Sequence, residues 1–219
     1  MQPPVPYCLR QQQLWLSSER CIFWEEQKTL IVSDLHFGKT GHFRKFGIPV
    51  PQSVYKQDLQ RLVHQVQYFQ PRQLIVVGDL FHSRENKELD LFRKWRHDFP
   101  GLQIHLVKGN HDILHHTWYK DSDISITEEE LQINSFRFRH DLGMPAAGRP
   151  GQYFFSGHIH PGICIKGAGR QTLRFPCFYF ARDYCVLPAF SRFTGTALID
   201  PSDGENVFAI VDKSIVQLQ

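Results

Sequence analysis

Short apolar runs, each closed by a polar or glycine-containing break, recur along the chain from residue 14 onward. Residues 14–16, 21–24 and 29–33 read as three strands, and the polar pieces 17–19 and 25–28 read as the turns between them. The third run is apolar on both faces, which predicts a central strand. From Ser53 the period changes. Tyr55, Leu59, Leu62, Val66 and Phe69 step by four, three, four and three, so they form one stripe of a helix that Pro71 ends. Residues 74–77 are a second buried strand. Residues 88–99 form a second amphipathic helix, with Leu89, Phe92, Trp95 and Phe99 on one side and Pro100-Gly101 as its stop. Residues 102–107 form a further strand. Strand, helix, strand, helix, strand is the pattern of a parallel sheet with right-handed crossovers.

The second half changes character. Residues 124–127 and 131–139 alternate like half-exposed antiparallel strands, and residues 153–156, 177–180, 184–187, 196–199 and 207–211 add more strands with few helical patterns among them. The expected fold class is α/β: two packed mixed β-sheets flanked by helices, with residues 1–219 as a single domain. The loop 143–151, rich in Gly, Ala and Pro, is the softest segment.

Composition refines this picture in three ways. A chain of 219 residues can bury a sizeable core, and a net charge of +3 does not by itself imply nucleic acid. Cys8, Cys21, Cys164, Cys177 and Cys185 are odd in number and widely spread, with no Cys-x-x-Cys pair, which suits free thiols in a reducing compartment. The first ten residues lack the apolar core of a signal peptide, and no apolar run approaches the roughly 20 residues that span a bilayer. These features predict a cytoplasmic enzyme with no membrane partner. Twelve histidines, however, are many for such a chain and need a reason.

Four segments supply one: Ser33-Asp34-Leu35-His36, Gly78-Asp79-Leu80-Phe81-His82, Gly109-Asn110-His111-Asp112 and Gly157-His158-Ile159-His160. Each follows an apolar run, and ligands of open sheets sit beyond the carboxyl ends of the strands. The expectation is that one sheet edge gathers Asp, His and Asn around two cations. Asp34 and His36 can reach one ion. Asp79 is the natural bridge, because a carboxylate has two oxygens. Asn110 offers a neutral amide oxygen to the second ion, and His158 and His160 can divide between the two. Carboxylate, imidazole and amide donors without thiolate favour Mn, Fe or Zn. The glycines before Asp79, Asn110 and His158 fit exits where backbone must approach closely.

These motifs, in this order, resemble the series of the calcineurin-like metallophosphoesterases over residues 31–161. The resemblance implies that family's sandwich of two sheets between helices. It implies that Asp34, His36, Asp79 and His160 hold one metal, and that Asp79, Asn110, His158 and one further histidine hold the other. His140, which closes the run 136–139, is the best match for that histidine, with His115 and His116 as alternatives. His111 would not bind metal; its counterpart contacts the phosphate and protonates the leaving oxygen. The implied cofactors are two divalent metal ions, Mn first among them, with Fe or Zn as alternatives.

A narrower resemblance, carried by residues 34–39, 43–44, 47–51 and 187–195, is to the bacterial ligase-associated DNA-damage-response endonucleases or phosphoesterases. It implies a phosphodiester substrate, DNA, a role in DNA repair, and functional association with a DNA ligase, a helicase and an exonuclease. A small-molecule nucleotide phosphodiesterase or phosphatase is the alternative, and a non-catalytic scaffold of the same fold is the rival from another class. Lys39 and Arg44, in a basic loop directly after the first motif, are candidates for gripping phosphate, and His82 for touching substrate. Arg137 and Arg139 share one strand face, which suits a polyanion. Asp112 is expected to orient a neighbour, and His105 to be packed.

Overall fold

The computed structural model describes residues 2–39, 53–82, 87–143, 151–166 and 171–218. Seven strands make the first sheet: β1 (Val5–Leu9), β2 (Gln12–Ser17), β3 (Cys21–Trp24), β4 (Thr29–Val32), β5 (Gln73–Val77), β6 (Gln103–Val107) and β7 (Ile124–Thr127), ordered as in the chain. β1 to β4 form an antiparallel meander, whereas β4 to β7 are parallel. The parallel half needs crossovers, and three helices provide them: α1 (Ser53–Phe69), α2 (Lys87–Asp98) and α3 (His116–Asp121).

The second sheet holds β8 (Leu131–Ile133), β9 (Phe136–Phe138), β10 (Tyr153–Ser156), β11 (Pro161–Lys166), β12 (Thr172–Phe180), β13 (Tyr184–Val186), β14 (Ala197–Leu198), β15 (Asn206–Val211) and β16 (Ser214–Gln217). Its path is β14-β11-β12-β13-β10-β9-β8, with β15 on β12 and β16 on β15. It too is mixed, since β10 runs parallel to both β9 and β13.

Alternation along the central strands divides the core in two. Leu30, Val32, Leu74, Val76, Ile104 and Leu106 face the helices and meet Leu62, Val66, Phe92 and Trp95. The intervening Ile31, Ile75, Val77 and Val107 face the other way and meet Phe136, Phe138, Phe155, Phe178 and Phe208 of the second sheet. A period-two pattern buried on both sides gives this result. Among the described residues all three helices lie on the outer face of the first sheet.

Two strand expectations are corrected. Residues 124–127 are a parallel edge strand of the first sheet, paired with β6, because α3 supplies a crossover too short to show a period. Residues 131–139 are not one strand. Asn134 takes φ +55 and, with Ser135, turns the chain into the β8–β9 hairpin. β1, β11 and β16 were not foreseen. Pro6 interrupts β1, which is tolerated because β1 lies on a sheet edge, and β11 opens on Pro161-Gly162, a pair that reads as a break. The five thiols are all free. No described helix is long and apolar enough to cross a membrane.

Candidate metal centre

The loops that leave β4 and β5 continue side by side. The amides of Asp34, His36 and Phe37 donate to the carbonyls of Gly78, Asp79 and Leu80 at 3.1, 2.9 and 2.9 Å, and the His82 amide donates back to Phe37 at 2.8 Å. The exit of β6 is pinned to them by Asp112, which is buried and accepts from the amides of Phe81 at 3.0 Å and Gly109 at 2.9 Å. Burial pushes the Asp112 carboxyl up to about 7, against the pull of those two amides. This is the orienting role expected of it. From the second sheet, the Gly157 amide donates to the His140 carbonyl at 3.1 Å, which sets the end of β9 beside the end of β10. The site therefore gathers donors from two sheets, not from one sheet edge as expected.

Two groups of donor atoms result. Nε2 of His160 lies 3.2 Å from Oδ1 of Asp34 and 3.4 Å from Nε2 of His36. Nε2 of His36 lies 3.9 Å from Oδ1 of Asp34 and from Oδ2 of Asp79. In the second group, Nε2 of His140 lies 3.2 Å from Oδ1 of Asn110, 3.3 Å from Nδ1 of His158 and 3.5 Å from Oδ2 of Asp79. Donors about 2.1 Å from a common cation stand roughly 3.0–3.5 Å from one another, so most of these separations are those of a coordination shell.

The bridge differs from the expectation in one respect. Oδ1 of Asp79 accepts the His111 amide at 2.9 Å, so only Oδ2 faces both groups. One oxygen, not two, is shared. Local chemistry also fits a pair of cations. Oδ1 of Asp34 is buried and accepts no hydrogen bond, while its Oδ2 receives the His158 amide at 3.1 Å and lies 2.5 Å from the Ser33 hydroxyl. Nδ1 of His140 lies 3.1 Å from the Val77 carbonyl and donates to it, which leaves Nε2 with its lone pair toward the cluster. Burial pulls His36 down to about 3, so its ring is neutral at physiological pH. Burial would also lower His140, but the Asp79 hydrogen bond and the Asp34 and Asp79 charges raise it. A proton on His140 then partly offsets the carboxylates when no cation is present. Asp34, His36 and His160, and Asp34, Asp79 and His140, are both close enough to hold a metal ion.

Five of the thirteen described non-glycine residues with positive φ lie in this cluster. Asp34, His36, Asp79, His158 and His160 all take φ between +50 and +70. Side chains other than glycine seldom adopt this region, and such outliers collect at functional sites. Glycine is needed at the close approaches. A Cβ on Gly157 would stand 1.8 Å from Oγ of Ser33 and 2.4 Å from Oδ2 of Asp34, and one on Gly109 would stand 2.2 Å from Oδ1 of Asp79. Gly157→Ala should therefore displace Asp34 and weaken manganese binding by about tenfold or more, with the far-UV spectrum unchanged. Calorimetric metal titration checks this; unaltered affinity would show that Gly157 is not a spacer.

The remaining candidates fall as follows. The His111 ring is half-buried, with its centroid 5.4 Å from that of His36 and 4.3 Å from that of His82, so both rings line the site. Lys39 is half-buried; burial lowers it, while the charges of Asp79 and Asp34 oppose that shift, which places it in their field. Arg44 lies outside the described residues. His140 reaches the cluster, whereas His115 caps α3 by accepting the Thr117 amide. Arg137 is paired with Glu130, so it does not form an open basic face with Arg139.

Sequence reasoning missed the support behind Asp34. The amides of Phe190 and Ser191 donate to the carbonyls of Ser33 and Asp34 at 2.8 and 3.1 Å. The Phe190 carbonyl in turn accepts from Arg61 at 3.0 Å, and Arg61 pairs with Asp58 at 2.6 Å and Glu19 at 2.7 Å. Asp58 and Arg61 are buried charges on α1, set off from its apolar stripe, and their three-residue spacing was the hint of them.

Two groups of oxygen and imidazole donors face one carboxylate oxygen and could each hold a divalent cation. Residues 27–179 match the calcineurin-like phosphoesterase family, and the chain belongs to it. It is a metal-dependent phosphoesterase, a hydrolase. The crystal structure of the Pseudomonas putida nuclease MPE is similar to it at 27% identity and a TM-score of 0.83, over 98% of this chain and 100% of that one. Yfce, a phosphoesterase from E. coli, aligns over 87% of this chain and 97% of its own, at 14% identity and a TM-score of 0.45. Comparison with curated proteins returned no match.

Proposed function

We propose that this protein hydrolyses phosphodiester bonds of DNA at a pair of divalent cations, with manganese as the preferred ion. The observation that carries the reading is Oδ2 of Asp79, which stands between His36 on one side and His140 on the other. Asp34, His36, Asp79 and His160 would hold one cation, and Asp79, Asn110, His140 and His158 the other. Bound there, the cations supply charge neutralisation and Lewis-acid polarisation of the phosphoryl group. The chain's own groups do the rest. The His111 ring gives a proton to the departing oxygen, Lys39 adds positive charge for the phosphate, and the His82 ring buttresses His111. Asp112 fixes the loops that carry Asp79 and Asn110. Similarity to a nuclease along nearly the whole chain supports a nucleic acid over small diesters. A role in DNA repair beside a ligase, a helicase and an exonuclease rests on the narrower resemblance of residues 34–39 and 187–195, and a cytoplasmic location on the sequence patterns alone.

A panel of supercoiled DNA, linear duplex, single strand, cyclic nucleotides and a chromogenic diester tests this directly. EDTA should abolish hydrolysis, Mn should restore it, and DNA should be cut. Turnover of the chromogenic diester and nucleotides alone would replace DNA with a small-molecule substrate. Hydrolysis indifferent to EDTA would remove the metal reading altogether.

A further inference from the structure

A basic cleft adjoins the Asp34–His160 side of the cluster. It has a volume of about 390 Å³ and lies between the β2–β3 turn, β12, the β15–β16 turn and the segment after β13. Three connections place it. β3 runs antiparallel to β4 with Ile22 opposite Ile31, so the turn carrying Arg20 stands at the edge where Asp34 leaves β4. Pro176, on the cleft wall, is paired with Gly162, two residues beyond His160. Arg192, which also lines the cleft, directly follows Ser191, whose amide holds the Asp34 carbonyl. With strands about 4.8 Å apart, the cleft begins roughly 5–10 Å from the cluster.

Its charges suit an anion. Arg20, Arg192 and Lys213 line it beside the carboxylate of Asp212, with Glu19 behind Arg192. Arg20 donates to the Ala189 and Ser191 carbonyls at 3.1 and 2.8 Å, which position it without cancelling its charge. Burial, with Arg61 and Arg192 beside it, pulls Arg20 down to about 10, while the Asp58 and Glu19 carboxylates pull the other way. Arg192 must share Oε2 of Glu19 with Arg61, at 3.1 and 2.7 Å. Lys213 is exposed between β15 and β16.

The geometry points to this cleft as a phosphate subsite for the nucleic-acid strand that continues past the scissile bond on the Asp34–His160 side, with Arg192 and Lys213 as its grips. This deepens, and rests on, the reading of the cluster as a phosphodiesterase centre. A separation of that size corresponds to roughly one and a half to three nucleotides of strand at about 3.4 Å each.

Binding of a fluorescent phosphorothioate 12-mer to the manganese-loaded full chain, followed by anisotropy across a salt series, tests the proposal without relying on turnover. Lys213→Glu should weaken binding about tenfold, and Lys213→Gln should lower the slope of log affinity against log salt by about 0.7 to 0.9. The effect should vanish with a labelled dinucleotide, which is too short to reach. An unchanged slope and affinity for the 12-mer would overturn the subsite, as would an equal loss for dinucleotide and 12-mer. If the unaltered protein cleaves neither DNA nor a chromogenic diester, the centre has been misread, and the anisotropy result still decides whether the cleft takes a strand.

Discussion

Asp79→Asn should reduce hydrolysis by about four orders of magnitude and strip at least one of the two cations. The size of the effect follows from how the side chain is held. Oδ1 accepts the His111 amide, so an asparagine in its place is forced to keep its carbonyl oxygen on that side. Its NH2 group then points to where Oδ2 stood, between Nε2 of His36 and Nε2 of His140. A donor would face the position of a cation, which is worse than the loss of one charge. The proton balance moves as well. The Asp79 hydrogen bond and charge help to raise His140, so without them His140 titrates lower and the apo cluster loses its internal counter-charge. Elemental analysis of the purified variant, beside its activity with excess Mn, checks the expectation. Two ions per chain with normal turnover would show that Asp79 does not bridge.

The sequence made this residue conspicuous but did not reveal how it works. Apolar runs ending in Gly-Asp, Gly-Asn-His and Gly-His-x-His located the donors, because buried strands and their exits have a strong period-two signature. His140 was picked out through the family resemblance, which calls for a further histidine closing a strand between the third and last motifs. Three things were not legible. The φ of +50 to +70 at five donor residues is set by the packing of loops against one another, which no local pattern encodes. That only Oδ2 of Asp79 faces both groups depends on the His111 amide, a contact across 32 residues. The brace behind Asp34 runs from Glu19 through Arg61 to Phe190, three segments with no shared period. The strands that escaped notice had the opposite problem. Pro6 in β1 and Pro161-Gly162 in β11 are strong local break signals that long-range pairing overrides.

The clearest separation of metal binding from proton transfer is expected at His111. Its backbone amide serves Asp79, while its ring stands beside His36 and His82 and contributes no atom to either donor group. His111→Asn keeps the amide, so Asp79 should remain in place and both cations should stay bound. What disappears is the ring that would give a proton to the leaving oxygen. Turnover of DNA, whose alkoxide leaving group needs that proton, should drop by about 10²–10⁴-fold. A p-nitrophenyl diester expels a stabilised phenolate and needs little protonation, so the same variant should lose far less on it. The ratio of the two losses is therefore the informative quantity. Equal losses on both substrates with full metal content would place His111 in phosphate binding and remove it as the acid. Loss of metal would mean that its amide contact to Asp79 does not survive the change of side chain, and the two functions would then have to be separated at His82, whose ring lies against the same imidazole.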